Sequence, residues 1–229
     1  MRDRVVSILG AGNLRCGPLV LASLATWTPD DLVTIKLFDA SEERLDLFDR
    51  FLRECIDRAT TEHVVMAMSS VHEALDGSTD AVFCVHEDCA RRMMGRLQPE
   101  LFDPKGPEVD QYRGDPNRPT PPENLSRQTQ TFLSSPIDRG ETREEAISQA
   151  LATMLEHVPE GCRLLSLERG VALPTTREYL QLDWPDALSE VEKPTVPHQV
   201  LRWIQGDDSL EVLLETAKTT PMAQWLNNL

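Results

Sequence analysis

Positive charge is what this 229-residue chain is short of: 23 Lys and Arg stand against 38 Asp and Glu, for a formal net charge of -15. Such a surface repels phosphate backbones and anionic headgroups, which argues against nucleic acid and membrane surfaces as partners. Also lacking is any apolar run near the ~20 residues of a membrane-crossing helix. The opening Met1-Arg2-Asp3-Arg4 leads into a short strand pattern and not into a signal-peptide core, so the expected location is cytoplasmic. The cysteines do not form a framework. Cys16, Cys55, Cys84, Cys89 and Cys162 are odd in number and scattered, as suits isolated thiols in a reducing compartment.

The length fits one full α/β core with additions. The first half alternates β-branched runs with helix-period segments: strand Val5-Leu9, helix Leu14-Ala25, strand Val33-Phe38, helix Glu42-Ala59. A strand at His63-Met68, a short helix at Val71-Asp76, a strand at Asp80-Val85 and a helix from Glu87 to Leu97 continue the βαβ grammar. Prolines then interrupt every period from Gln98 to Gly140, predicting a flap or arm. A short strand near Thr129-Leu133 could pair with a partner subunit, making a homodimer through the arm one expectation and a disordered linker the other. Thr142 and Glu145 form a capping box that starts a helix, and Arg163-Leu167 reads as a fifth strand. The tail reads as helical, from Pro197, from Asp208 with Glu211, and from Thr220-Pro221. The expected fold is α/β, a Rossmann-type parallel sheet with helices on both faces. Residues 1–170 are expected to form this Rossmann domain with the inserted arm at about 98–140, and residues 171–229 a small helical appendage packed on it.

The stretch Ile8-Leu9-Gly10-Ala11-Gly12-Asn13-Leu14-Arg15 lies between a predicted strand and a predicted helix, the setting in which a glycine turn binds a dinucleotide. The first glycine permits the tight turn, and the second lets a pyrophosphate approach N–H groups at the helix N-terminus. Arg15 stands where a third glycine usually falls. Asp39 ends the next strand, 24 positions after Arg15, where a carboxylate meets the adenosine ribose and its charge favours NAD over the 2′-phosphorylated form. The candidate cofactor-binding set is therefore Gly10, Ala11, Gly12, Asn13, Leu14 and Asp39, with His86 beyond the fourth strand near the nicotinamide end. The bland alternative is a turn that has lost its ligand, with Asp39 capping the helix at Ser41-Glu42.

"VVSILGAGNLRCGPLVLASLA" followed by "IKLFDASEERLDLF" resembles the N-terminal NAD-binding half of the family 4 glycoside hydrolases. Arg15, Pro18, Leu19, Asp39, Glu43, Arg44 and Leu45 fall where that pattern wants them, and the family lacks the third glycine too. The resemblance implies a redox-assisted elimination, in which NAD oxidises a sugar hydroxyl, a base removes the acidified neighbouring proton and a divalent metal stabilises the enolate. This chain departs from it: Asn13 replaces the turn serine, Glu168-Arg169 stands at the family's Asn-Pro, and no Cys and His occupy its metal-ligating places. A complete family site is not expected, nor is a divalent metal.

Cys84-x-His86-x-x-Cys89 offers three metal-capable side chains with no second cluster, so an interior Cys84 and a pocket role for His86 are the preferred reading. Glu168 and Arg169 could meet a small polar substrate or pair with each other. Trp203, Leu213, Leu214 and Trp225 read as packed helix faces, and neither Tyr112 nor Tyr179 can be assigned as a base. The function expected is NAD binding, with oxidoreductase-like action on a small hydroxylated, sugar-like substrate if the protein is an enzyme. The alternative is a non-catalytic dinucleotide-binding or assembly module.

Overall fold

The computed structural model describes residues 4–13, 16–29, 32–94, 142–167, 170–182, 203 and 210–227. The proline-rich arm, Leu14 and Arg15, Glu168 and Arg169, and the helix starts at Pro197 and Asp208 lie outside the described residues.

Strands β1 (Arg4–Leu9), β2 (Val33–Phe38), β3 (Val64–Ala67), β4 (Asp80–Phe83), β5 (Arg163–Ser166) and β6 (Leu180–Gln181) make one sheet in the order β3-β2-β1-β4-β5-β6. Every pairing is parallel. This is the Rossmann order, in which the chain leaves β3 at one edge and returns beside β1, opening a crevice between β1 and β4 at their carboxyl ends. The fold class expected from the sequence is therefore observed. One element differs: β6 falls in the segment expected to carry no strand. Its two-residue length leaves little periodic signal, although Tyr179-Leu180-Gln181-Leu182 does alternate.

Two cores separate across the sheet because alternate strand side chains face opposite ways. Val6 and Ile8 of β1 join Ile35 and Leu37 of β2 beneath α1 (Gly17–Ala25) and α2 (Glu42–Ala59). On the other side, Leu9 and Phe83 pack against α3 (Val71–Leu75), α4 (Glu87–Met93) and α5 (Arg143–Leu155). Helices α6 (Leu210–Ala217) and α7 (Pro221–Asn227) place Leu210, Leu213, Met222 and Leu226 in the first core, against α1. Local chemistry sets the helix ends. Thr142 and Glu145 form the predicted capping box of α5, and Lys36 of β2 donates to carbonyls at the end of α3, Glu73 O at 3.0 Å and Asp76 O at 2.7 Å. At the β3 edge, Arg53 donates to the outward carbonyl of Val65 at 2.9 Å, blunting a strand edge that would otherwise invite pairing.

The amino end of the sheet is held by a buried charge. Asp80, 1% exposed, accepts hydrogen bonds from Arg4 Nε at 3.1 Å and Arg163 Nε at 2.6 Å. Each guanidinium also lies 4.6 Å from a ring centroid, Arg4 over Trp27 and Arg163 over Trp225. The array joins β1, β4 and β5 to the ends of α1 and α7. Asp80→Ala should cost about 2–3 kcal/mol in urea unfolding, less than a wholly buried pair because Arg163 keeps 38% of its surface in water. A loss below about 1 kcal/mol would contradict this role.

All five cysteines are buried and unbridged. Burial pushes the thiols of Cys55 and Cys162 up to about 12 each. An unfolded thiol ionises near about 8.5, so the unfolded chain loses these protons first. The stabilisation is fully present below about pH 8.5 and is lost as pH climbs toward the folded values. Urea midpoints should therefore fall above about pH 9, and Cys55→Ala should flatten that fall; parallel pH curves for the two proteins would refute the assignment.

Candidate functional site

The strand register sets Phe38, Leu9, Phe83 and Ser166 level across the sheet, so Gly10, Asp39 and Cys84 emerge together one residue beyond its carboxyl edge. Gly10 adopts φ +78° and turns the chain toward α1; a Cβ there would lie 2.7 Å from the Cys84 carbonyl oxygen and 2.8 Å from Val85 Cα. The N–H groups of Gly10 and Ala11 both donate to Phe38 O, at 2.8 and 3.0 Å, and Asn13 N–H closes the turn on Gly10 O at 3.0 Å. Asn13 Nδ2 donates to Cys84 O at 2.8 Å, tying the turn to the end of β4. Asn13 does this where the resembled family has serine.

Gly12 and Gly17 are held by different contacts. A Cβ on Gly12 would meet Arg44 Cβ at 2.6 Å and Asp39 Oδ2 at 2.8 Å, so in this conformation Gly12 makes room for the protein's own side chains. The close approach of α1 to the turn falls to Gly17, whose Cβ would lie 2.6 Å from Ala11 O. Sequence reasoning missed Gly17 because it sits two places past the expected position, at the start of α1. That helix begins at Gly17, not Leu14, and Pro18 in its first turn contributes no N–H.

Asp39 is the hub. Its side chain is fully enclosed, Oδ2 accepts Gly12 N–H at 2.9 Å, and Oδ1 accepts Ser41 N–H at 2.9 Å. His86 Nε2 approaches the same Oδ2 at 3.1 Å. Arg44, one-third exposed, donates to Gly12 O at 3.2 Å and pairs with Asp88 at 3.1 Å. The turn at Gly12 is thus gripped at both its N–H and its carbonyl.

His86 stands against Asp39, its Nε2 on Oδ2. As N-cap of α4 it accepts Cys89 N–H at Nδ1, 3.2 Å away. An acceptor nitrogen carries no proton, so the ring proton sits on Nε2 and is donated to Asp39. The motif Cys84-x-His86-x-x-Cys89 is split: Cys84 faces the α1 side, where its hydrogen bond with Cys16 and its burial push its thiol up, while Cys89 faces the α4 side. Burial and the Asp39 charge push the Cys89 thiol well above its ordinary value.

Asp39, His86 and Cys89 place ligand atoms within 4.8 Å of one another, the one such trio among the described residues. A metal on Nε2 would move the ring proton to Nδ1, against the Cys89 N–H that caps α4. Tyr179 packs partly buried on the second core, and Trp203 donates to Glu54 Oε2 at 2.6 Å while meeting Phe51 edge-on at 5.1 Å. Among the described residues no helix is long and apolar enough to cross a membrane.

No family model matches the chain, and no curated protein does. A search of solved structures finds a 6-phospho-alpha-glucosidase from gut microorganisms, determined in complex with NAD and Mn2+. It shares 12% identity and a TM-score of 0.45, over 81% of this chain and 40% of that one. This chain therefore spans well under half the length of that structure.

The turn geometry separates two glycines with similar backbones. Gly77, at φ +67°, has nothing within 4 Å of a would-be Cβ, whereas Gly10 meets backbone. Gly77→Ala should cost about 1 kcal/mol from strain alone, and Gly10→Ala about 3 kcal/mol or more in chemical denaturation. Equal costs would contradict the close approach of β4 to the turn.

Proposed function

We propose that the chain holds a nicotinamide dinucleotide, NAD, across the turn formed by Gly10, Ala11, Gly12, Asn13 and Leu14, with its adenosine ribose at Asp39. The observation that carries this reading is positional. The glycine turn sits at the switch point between β1 and β4, and a carboxylate ends the neighbouring strand β2 at the same level. A carboxylate offers about four acceptor positions, and Asp39 uses three. Its enclosure means that side chains covering it must shift for a ribose hydroxyl to reach the fourth. The N–H groups from Gly10 to Asn13 and that of Gly17 are donated within the protein, and Pro18 has none, so a pyrophosphate approaching the turn competes with these internal bonds.

Bound NAD would supply a hydride acceptor for a small hydroxylated substrate. Support for the second reading, a module that keeps the dinucleotide without turning it over, comes from His86. Both its nitrogens are engaged, so it offers no free base. Reduction of NAD in a screen of hydroxylated substrates separates the two.

Binding itself is read by melting temperature. NAD at a hundredfold over Kd should stabilise the native state by about 2.7 kcal/mol, several degrees for a chain of this size, and Asp39→Ala should abolish the rise. No shift in the wild-type protein at millimolar NAD would overturn the proposal.

A further inference from the structure

We infer that His86 is a positioning residue of the dinucleotide site: it acts through Asp39, holding the carboxylate for the ribose, and does not itself touch the cofactor. The inference rests on the dinucleotide reading above. Three chain segments converge on Asp39, each with one donor: Gly12 N–H from the β1–α1 turn, Ser41 N–H from the start of α2, and His86 Nε2–H from the β4–α4 loop. The two backbone donors are fixed by the fold. His86 alone is a side chain, and it is locked because Nδ1 accepts the Cys89 N–H while the ring is only 14% exposed.

Among the described residues, Arg44 is a competitor for the carboxylate. A Cβ on Gly12 would touch both Asp39 Oδ2, at 2.8 Å, and Arg44 Cδ, at 3.0 Å, so the two side chains share one side of the turn. Without the His86 donor, Oδ2 keeps one bond, and the carboxylate can rotate toward the guanidinium, drawing Arg44 further over the turn. The site would then meet a ribose with its acceptor misaligned and its approach covered. His86 also transmits in the other direction, because the residue that orients Asp39 is the N-cap of α4.

Two substitutions divide the roles. His86→Asn keeps a preferred N-cap for α4 but is too short to reach Asp39. His86→Gln can extend an amide N–H toward Asp39 but is a poor cap. NAD affinity, read by titration calorimetry, and urea midpoint are measured for both against the full-length wild-type protein. His86→Asn should lower the midpoint, because the enclosed carboxylate loses a donor, and raise Kd about tenfold, the lower end of the effect of removing an orienting partner in metal sites. His86→Gln should lower the midpoint yet keep Kd within about threefold. Long-range 15N–1H spectra of the wild-type protein should show the proton on Nε2, with that signal moving when NAD is added. Wild-type affinity in His86→Asn, equal weakening in both variants, or a proton on Nδ1 overturns the inference. Absence of NAD binding by the wild-type protein overturns the dinucleotide reading and this inference with it, whereas NAD binding that is insensitive to His86→Asn overturns this one alone.

Discussion

An ionised carboxylate taken out of water must be compensated in full, and Asp39 imposes that requirement on everything around it. Its compensation comes from the β1–α1 turn, from the start of α2 and from the loop before α4, so one side chain fastens three crossovers at the carboxyl edge of the sheet. The glycine at position 12 follows from the same demand, since any larger residue would stand in the carboxylate's place. So does the tautomer of His86, which is fixed between a donor on α4 and an acceptor on β2.

A second buried aspartate at the opposite edge shows why the two ends differ in use. Asp80 is neutralised by two guanidinium groups, each backed by a tryptophan ring, so its charge is spent on the fold. The donors bound to Asp39 are two amides and an imidazole N–H. Hydrogen bonding satisfies its oxygens with no guanidinium of the described residues bonded to it, at the edge where doubly wound sheets take ligands. That asymmetry suits a hydroxyl-bearing group at Asp39 and a structural role for Asp80.

Much of this was legible in the sequence because it rests on local signals. The βαβ grammar, the capping box at Thr142 and Glu145, and the strands at Val33-Phe38 and Arg163-Leu167 each announce themselves within a few residues. The two-residue β6 did not, since so short a strand has no period to read. Gly17 was hidden for a different reason: its role depends on the distance to Ala11 O, which spacing alone does not encode. The pairing of His86 with Asp39 spans 47 positions and depends on β1 lying between their strands. The sequence offered a pocket role for His86, whereas its contact with Asp39 is set by topology.

The central claim is that the Gly10–Asn13 turn and Asp39 form one dinucleotide site. A crystal structure of the protein with NAD tests it most directly. The account predicts pyrophosphate density at the start of α1 and a ribose hydroxyl on Asp39, with the bond from His86 retained. Density for NAD elsewhere on the molecule, or a crystal grown at saturating NAD with none beside Asp39, would contradict it.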